Sequence, residues 1–229
     1  AMVKSIGLLQ SSSFDEIAQV INDSLKLGID NEEGYDWKRD FEERFKPRFR
    51  NPITTGWELI DDISKGGLGQ KELGVVIAPT GAGKSMALVH LGAEAIKEGK
   101  TVIHYTLELA STVIASRYDS CITGVPLRDL FSFKEQIFET VKELEGNLII
   151  KEYPTKSASP NSIKAHLEKL RQRGIPIDMI IVDYADLLKP TASGFKTQEL
   201  RHSLGNIYEE LRGIGQVWDI PVWTASQTN

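Results

Sequence analysis

The stretch Ala78–Ser85, which reads Ala-Pro-Thr-Gly-Ala-Gly-Lys-Ser, constrains the fold more than any other part of the sequence. The apolar, β-branched run 73–77 precedes it and predicts a buried strand. The largely apolar run 86–96 follows it and predicts a helix that ends near Gly99. A strand, a glycine-rich turn, Gly-Lys-Ser and a helix form the context that a phosphate-binding P-loop requires.

The chemistry of this turn suits a bound polyphosphate. Gly81 and Gly83 let the backbone curl so that successive N–H groups point at one anion, and the helix N-terminus adds partial positive charge. Lys84 supplies a full charge to the terminal phosphates, and the Ser85 hydroxyl can ligate Mg²⁺. Alanine replaces the first glycine of the usual pattern, which its backbone permits if φ is negative. The alternative is a chance glycine-rich turn before a helix. We expect phosphate binding by the whole stretch: Ala78, Pro79, Thr80, Gly81, Ala82, Gly83, Lys84 and Ser85.

Composition limits the classes of protein to which the chain can belong. Its 229 residues, 41% hydrophobic and 26% charged, allow one globular α/β domain with an appendage. No apolar run approaches the length of a membrane span, so we expect no membrane partner and a cytoplasmic location, in a bacterial or phage-infected cell. Cys121 is the single cysteine and excludes an internal disulfide. Because the net charge is −5, contact with nucleic acid requires a local basic patch.

Strands and helices alternate after the P-loop. This alternation predicts a mostly parallel sheet, with ligand chemistry at the carboxyl ends of the strands. The predicted strands are 101–106, 148–152, 179–183 and 221–225. The predicted helices are 111–121, 134–145, 160–174 with proline in its first turn, and 200–214.

Three of these strands are followed by a polar residue suited to phosphate chemistry. Asp183 ends an apolar strand and can hold Mg²⁺ through water. Glu108 follows another strand and can orient and deprotonate an attacking water. Gln227 ends the last strand, where its amide can sense a γ-phosphate if that strand lies between the P-loop strand and the Asp183 strand. The alternative for all three is an ordinary loop or surface residue. His104 sits within a strand and is expected to be a packed histidine.

Four motifs in this order resemble the RecA-type ATPase domain of DnaB-family replicative helicases. The resemblance covers roughly residues 50–229, includes the lead-in Thr55-Gly56-Trp57, and extends to alanine at position 78, which is common in that family. The motifs are Ala78–Ser85, Tyr105-Thr106-Leu107-Glu108-Leu109, Ile181-Val182-Asp183-Tyr184 and Ala225-Ser226-Gln227-Thr228-Asn229.

The resemblance implies an α/β fold with a RecA-like P-loop NTPase core, its mostly parallel sheet flanked by helices. It implies a ring hexamer that hydrolyses ATP with Mg²⁺ and moves along single-stranded DNA, with primase or a loader as a further partner. By the same resemblance Lys84 and Ser85 bind phosphate and Mg²⁺, Glu108 is the general base, Asp183 is the Walker B carboxylate and Gln227 couples γ-phosphate to DNA. The segment 189–201 matches the family's first DNA loop by position; its basic residues are Lys189, Lys196 and Arg201.

The sequence divides into residues 1–50, a tail and linker, and residues 51–229, the RecA-like domain. Ser13-Phe14-Asp15-Glu16 has the spacing of a capping box and opens an amphipathic helix at about 14–27. The resemblance implies that this helix docks on an adjacent subunit of a ring or filament; the alternative is that it folds back on its own domain. The sequence stops just after Gln227, so we expect a domain truncated before the family's second DNA loop and arginine finger.

Two other classes of protein remain open at the level of the sequence. One is another RecA-type ATPase, such as a recombinase or a RadA- or KaiC-like protein. The other is a nucleotide-binding interaction module that never hydrolyses its ligand. A nucleotide kinase fits less well because the sequence contains no arginine-rich lid segment.

Overall fold

The computed structural model of the chain describes residues 34–46, 50–190 and 200–228, with the side chains of 200–203 left out. The chain forms two compact units, Ala1–Phe49 and Arg50–Asn229. The predicted helix at 14–27 lies outside the described residues.

The described part of the first unit consists of turns followed by a short 3-10 helix, Glu42–Phe45. The Asp36 carboxylate accepts the N–H groups of Lys38 and Arg39 at 2.9 and 2.7 Å and so holds the first turn. The Arg44 guanidinium lies over the rings of two aromatic side chains of this segment, Trp37 and Phe41.

A five-stranded sheet forms the centre of the second unit. Its order is β1-β5-β4-β2-β3, and every neighbouring pair is parallel. β5 therefore lies between the P-loop strand and the Asp183 strand, which confirms the predicted placement. The strands are β1 (Leu73–Ala78), β2 (Thr101–Thr106), β3 (Asn147–Glu152), β4 (Met179–Asp183) and β5 (Val222–Gln227).

Helices cover both faces of this sheet. The four helices predicted after β2, and the one after the P-loop, are present, whereas α1 and the 3-10 helix Leu127–Phe133 were not predicted. The last helix runs four residues past Ile214, the end of its apolar pattern. The helices are α1 (Glu58–Ser64), α2 (Lys84–Lys97), α3 (Ser111–Thr123), α4 (Lys134–Lys142), α5 (Pro160–Gln172) and α6 (Leu200–Trp218).

Two apolar cores lie on opposite faces because successive side chains of a strand alternate in direction. Ile103 and Tyr105 of β2 pack in one core, against α5 and α6. Val102 of the same strand packs in the other core, against α2 and α3. β2 and β4 are buried along their whole length, as expected of inner strands of a parallel sheet.

In the part of the chain that the structure describes, no helix has the length and apolar character needed to span a membrane.

Candidate active site

The P-loop connects the end of β1 to the start of α2. Gly81 and Gly83 have φ of 78° and 93°, in the left-handed region that favours glycine. A Cβ atom at either position would meet no atom within 4 Å, so backbone conformation, not crowding, calls for glycine. Ala78 is the last residue of β1, where the extended backbone accepts alanine.

Lys84 is the first residue of α2, and its side chain turns back over the loop. Its ammonium group donates to the carbonyl oxygens of Ala78 and Pro79, each at 3.1 Å. The same nitrogen lies 5.7 Å from the centroid of the Tyr184 ring. The positive charge is thus already at the mouth of the loop, where a terminal phosphate would meet it.

Asp183 is buried at the end of β4, with 2% of its surface exposed. Burial raises the pKa of its carboxyl above the ordinary value, while a hydrogen bond from Ser85 opposes that rise. Among the described protein atoms its Oδ1 has no hydrogen-bond partner. An unpartnered buried carboxylate oxygen beside a serine hydroxyl suits a hydrated divalent cation.

These residues fit Mg²⁺ held partly through water. No group of three or more histidine, cysteine, aspartate or glutamate side chains converges to hold a metal anywhere in the described ranges. Mg²⁺ keeps several of its waters and needs only one or two protein ligands besides phosphate. Ser85 and Asp183 would supply those ligands.

Glu108 lies in the turn after β2, and the residues around it are hydrogen-bonded to neighbouring elements. The N–H of Leu107 donates to the Asp183 carbonyl at 3.0 Å, and the Leu107 carbonyl accepts from the Thr155 hydroxyl at 2.8 Å. The N–H of Leu109 donates to the Thr106 hydroxyl at 3.2 Å. Glu108 itself is exposed towards the cavity, so its carboxylate can meet a water molecule there.

Gln227 is paired in register with Ala78, the residue that precedes the P-loop turn. The Tyr184 hydroxyl lies 3.4 Å from Gln227 Oε1 and donates to it. The amide of Gln227 is thus held next to the Tyr184 ring that also approaches Lys84.

One cavity of about 340 Å³ joins these parts. This volume falls within the usual range for small-molecule sites. It brings together the P-loop, Glu108 and Gln227, while Asp183 lies buried beside it. The lining residues are Thr80, Gly81, Gly83, Lys84, Ser85, Met86, Glu108, Leu109, Arg117, Tyr184 and Gln227.

Arg117 and Tyr184 line the cavity and were not singled out from the sequence. Arg117 lies on α3 between the buried residues Ile114 and Tyr118, and its charge lowers the pKa of Asp183. A sequence signal for it existed, because an arginine at the edge of a buried helical stripe calls for a nearby anion.

The remaining predicted site residues lie outside this cavity. Lys189 is exposed, and its N–H donates to the Ala158 carbonyl at 2.8 Å. Lys196 falls outside the described residues, and the side chain of Arg201 is not described, so the DNA loop stays a prediction.

His104 is the packed histidine that the sequence predicted. It is fully buried, with Nδ1 2.9 Å from the Tyr118 hydroxyl. Burial lowers the pKa of His104 to about 3, so it stays neutral and takes no part in the site's chemistry.

Comparison with solved structures shows the fold. The chain superposes with a TM-score of 0.68 on a DnaB-like replicative helicase whose structure was solved with its interactions with primase, at 14% identity, covering 99% of this chain and 56% of that one. A second solved structure, the ATPase domain of another protein, gives the same TM-score at 13% identity, over 86% of this chain and 72% of that one. The fold is RecA-like, as predicted.

Comparison of sequences shows the family. A DnaB-like replicative helicase of Enterobacteria phage T4 is 30% identical over 223 residues, 92% of this chain and 47% of that protein. The replicative DNA helicase DnaB of Leifsonia xyli is 28% identical over 77% of this chain and 39% of that protein. The chain thus spans less than half the length of these relatives. The family model of the DnaB-like helicase C-terminal domain matches residues 52–229. The chain therefore belongs to the family of the DnaB-like helicase C-terminal domain.

Proposed function

We propose that the chain is the ATP-hydrolysing motor of a replicative DNA helicase, with residues 51–229 as the motor domain. The observation that carries this proposal is one cavity at the carboxyl ends of β1, β5, β4 and β2. A P-loop with its lysine, a buried carboxylate beside a serine hydroxyl, an exposed glutamate and a strand-end glutamine all meet there. Phosphoryl transfer is catalysed mainly by such positioning and charge.

Each residue has a role in that reaction. The N–H groups of residues 79–83 and Lys84 bind the phosphates, and Ser85 and Asp183 hold Mg²⁺, which neutralises charge on the β- and γ-phosphates. Glu108 takes a proton from the attacking water, whose oxygen bonds to the γ-phosphorus as the bond to the β–γ bridging oxygen breaks. ADP and inorganic phosphate leave. Arg117 adds a cation at the same cavity.

Gln227 is the residue that senses whether the γ-phosphate is present. It ends β5, the strand next to β1, and its amide lines the cavity. Because β5 and β4 pair directly, a shift of Gln227 reaches the turn after β4. We infer that this shift is passed to single-stranded DNA through the segment 189–201, with Lys189, Lys196 and Arg201 as its basic residues.

Assembly and partners are proposed from the family. A homo-hexamer or another ring or filament, joined through the predicted helix at 14–27, would bring neighbouring cavities into contact. Primase is proposed as a partner because the resemblance implies it and because one structural relative was solved with its interactions with primase. The whole helicase activity belongs to the longer protein that these relatives represent.

The test is ATP hydrolysis by the full-length protein with and without single-stranded DNA, together with strand separation. We expect hydrolysis that DNA stimulates, and Lys84→Ala should abolish tight ATP binding because it removes the charge aimed at the terminal phosphates. Unchanged ATP affinity of Lys84→Ala in calorimetry would overturn the P-loop assignment. ATP binding without any hydrolysis would identify a nucleotide-binding module, and filaments without unwinding would identify a recombinase.

A further inference from the structure

Asp186 joins three elements next to the cavity without lining it. It lies in the 3-10 helix Ala185–Leu187, directly after β4. Its carboxylate accepts a hydrogen bond from the Tyr208 hydroxyl of α6 at 2.6 Å. It also accepts from the Ser226 hydroxyl at 3.2 Å and from the Gln227 N–H at 3.0 Å, both in β5.

The turn that carries Asp186 is itself anchored. The N–H of Ala185 donates to the Thr224 hydroxyl at 3.1 Å, and that hydroxyl donates to the Val182 carbonyl at 2.8 Å. Thr224 is fully buried, so these hydrogen bonds are shielded from water. Asp186 is therefore presented to β5 from a well-defined position.

Gln227 depends on this contact because its strand has lost its neighbour at that point. The pairing of β4 with β5 ends at Val182 and Thr224, three residues before Gln227. Beyond that pair the Asp186 carboxylate takes the N–H of Gln227 in place of a strand carbonyl. The backbone position of Gln227, and with it the reach of its side chain into the cavity, is thus set by Asp186.

We propose that Asp186 is a positioning residue, which holds Gln227 at the γ-phosphate and, through Tyr208, makes that position depend on α6. The inference rests on the proposed function, since it assigns the control of Gln227 in ATP hydrolysis. Asp186 does not touch the nucleotide. It acts through the hydrogen bond to the Gln227 N–H, and α6 acts on it through a single phenol hydroxyl.

A purely structural role for Asp186 predicts a different result from a positioning role. Loss of a structural contact lowers the free energy of unfolding and leaves the kcat of the folded protein unchanged. Loss of positioning lowers kcat at unchanged affinity for ATP, because only the transition state requires Gln227 in place.

The experiment measures kcat and KM for ATP, and unfolding by urea, for Asp186→Ala and Tyr208→Phe in the full-length protein. A misplacement of about 1 Å costs about 10²-fold, so we expect that loss of kcat in Asp186→Ala with KM within about twofold. Tyr208→Phe removes one hydrogen bond and should lower kcat about fivefold.

Tyr153→Phe is the matched control, because it removes a phenol hydroxyl that donates to the Ser162 carbonyl of α5 at 3.4 Å, away from the cavity. We expect its kcat to equal that of the wild type. Asp186→Asn keeps an oxygen for the Gln227 N–H and an amide that can donate to Tyr208, so it should recover most of kcat; it also serves if Asp186→Ala does not fold.

An active wild type with full kcat in both Tyr208→Phe and the Asp186 variants overturns the positioning role and leaves the proposed function intact. A wild type that binds ATP but shows no turnover under any condition overturns the proposed function, and the positioning role falls with it.

Discussion

At the scale of the residue, burial decides what a titratable group can do. Asp183 and His104 are both buried, 2% and 0% exposed. Asp183 lies beside the Ser85 hydroxyl and the Lys84 charge, which favour its charged form and suit it to a cation. His104 pairs with the Tyr118 hydroxyl and stays neutral. Two buried groups of the same core therefore serve chemistry in one case and packing in the other.

His104 should make the stability of the chain depend on pH. Its pKa is about 3 in the folded protein against an ordinary value of 6.5, so the unfolded chain takes up a proton that the folded chain refuses. Its contribution is complete above pH ~6.5 and is lost as pH falls below it, by about 2 kcal/mol at pH 5. His104→Gln keeps a hydrogen-bonding partner for Tyr118 and does not titrate.

Urea unfolding of both proteins at several pH values measures this contribution. We expect the difference in unfolding free energy between wild type and His104→Gln to shift by about 2 kcal/mol in favour of the variant between pH 7 and pH 5. A difference that stays constant with pH would mean that His104 is protonated in the folded state.

The residues of the site divide by how far along the chain their partners lie. The P-loop residues could be recognised from the sequence because each contacts the same eight-residue turn. Glu108 and Asp183 could be recognised because each follows a strand. Arg117 and Asp186 could not, because their partners are close only after the sheet has formed.

At the scale of the element, close packing of α2 on α3 depends on one glycine. A Cβ atom on Gly92 of α2 would lie 2.1 Å from the Tyr118 hydroxyl of α3 and 2.9 Å from the Ile181 Cδ1 of β4. This approach carries α2 down onto the sheet, and α2 begins at Lys84. The position of the P-loop lysine is therefore set by the packing of its helix.

Gly92→Ala should destabilise the protein by about 1–3 kcal/mol, because the cost of overpacking outweighs the better helix propensity of alanine. Tyr118→Phe removes the atom nearest to the added methyl, so the double variant should recover part of the loss. The control is Gly213→Ala in α6, where a Cβ meets no atom within 4 Å. It should stabilise the protein by about 1 kcal/mol. Equal effects of the two glycine substitutions in urea unfolding would contradict the packing account.

Elements with a strong period were predicted from the sequence, and their ends were not always. β2 and β4 match their apolar runs because inner parallel strands are buried throughout. α6 continues to Trp218 because Gly215 packs close to the Ile220 carbonyl, at 3.0 Å from its would-be Cβ, a contact that leaves no periodic signal. The 3-10 helix Leu127–Phe133 contains the 93% exposed Phe131 and lacks a buried stripe.

At the scale of the whole molecule, the order of the strands places chemistry that is distant in sequence into one cavity. β5, the last strand of the chain, inserts between β1 and β4. Alternation of strands and helices predicted a parallel sheet but not its order. Only the requirement that Gln227 reach a γ-phosphate placed β5 next to β1.

Assembly is predicted from the helix at 14–27, whose apolar stripe must be buried. If it docks on a neighbouring subunit, Ile21→Asp on the stripe should lower the oligomer mass in light scattering, and so should deletion of residues 1–27. Gln19→Asp, on the opposite face, should leave the mass unchanged. An unchanged mass after deletion would contradict the stapling role.

The central claim is that this cavity hydrolyses ATP with Glu108 as the base, and one variant tests it most directly. Glu108→Gln keeps the shape of the side chain but cannot accept the proton. ATP affinity by calorimetry should stay within about twofold, while DNA-stimulated turnover should fall by about 10²–10⁴-fold, the usual contribution of a positioned general base. Turnover that survives within a few-fold of the wild type would contradict the account.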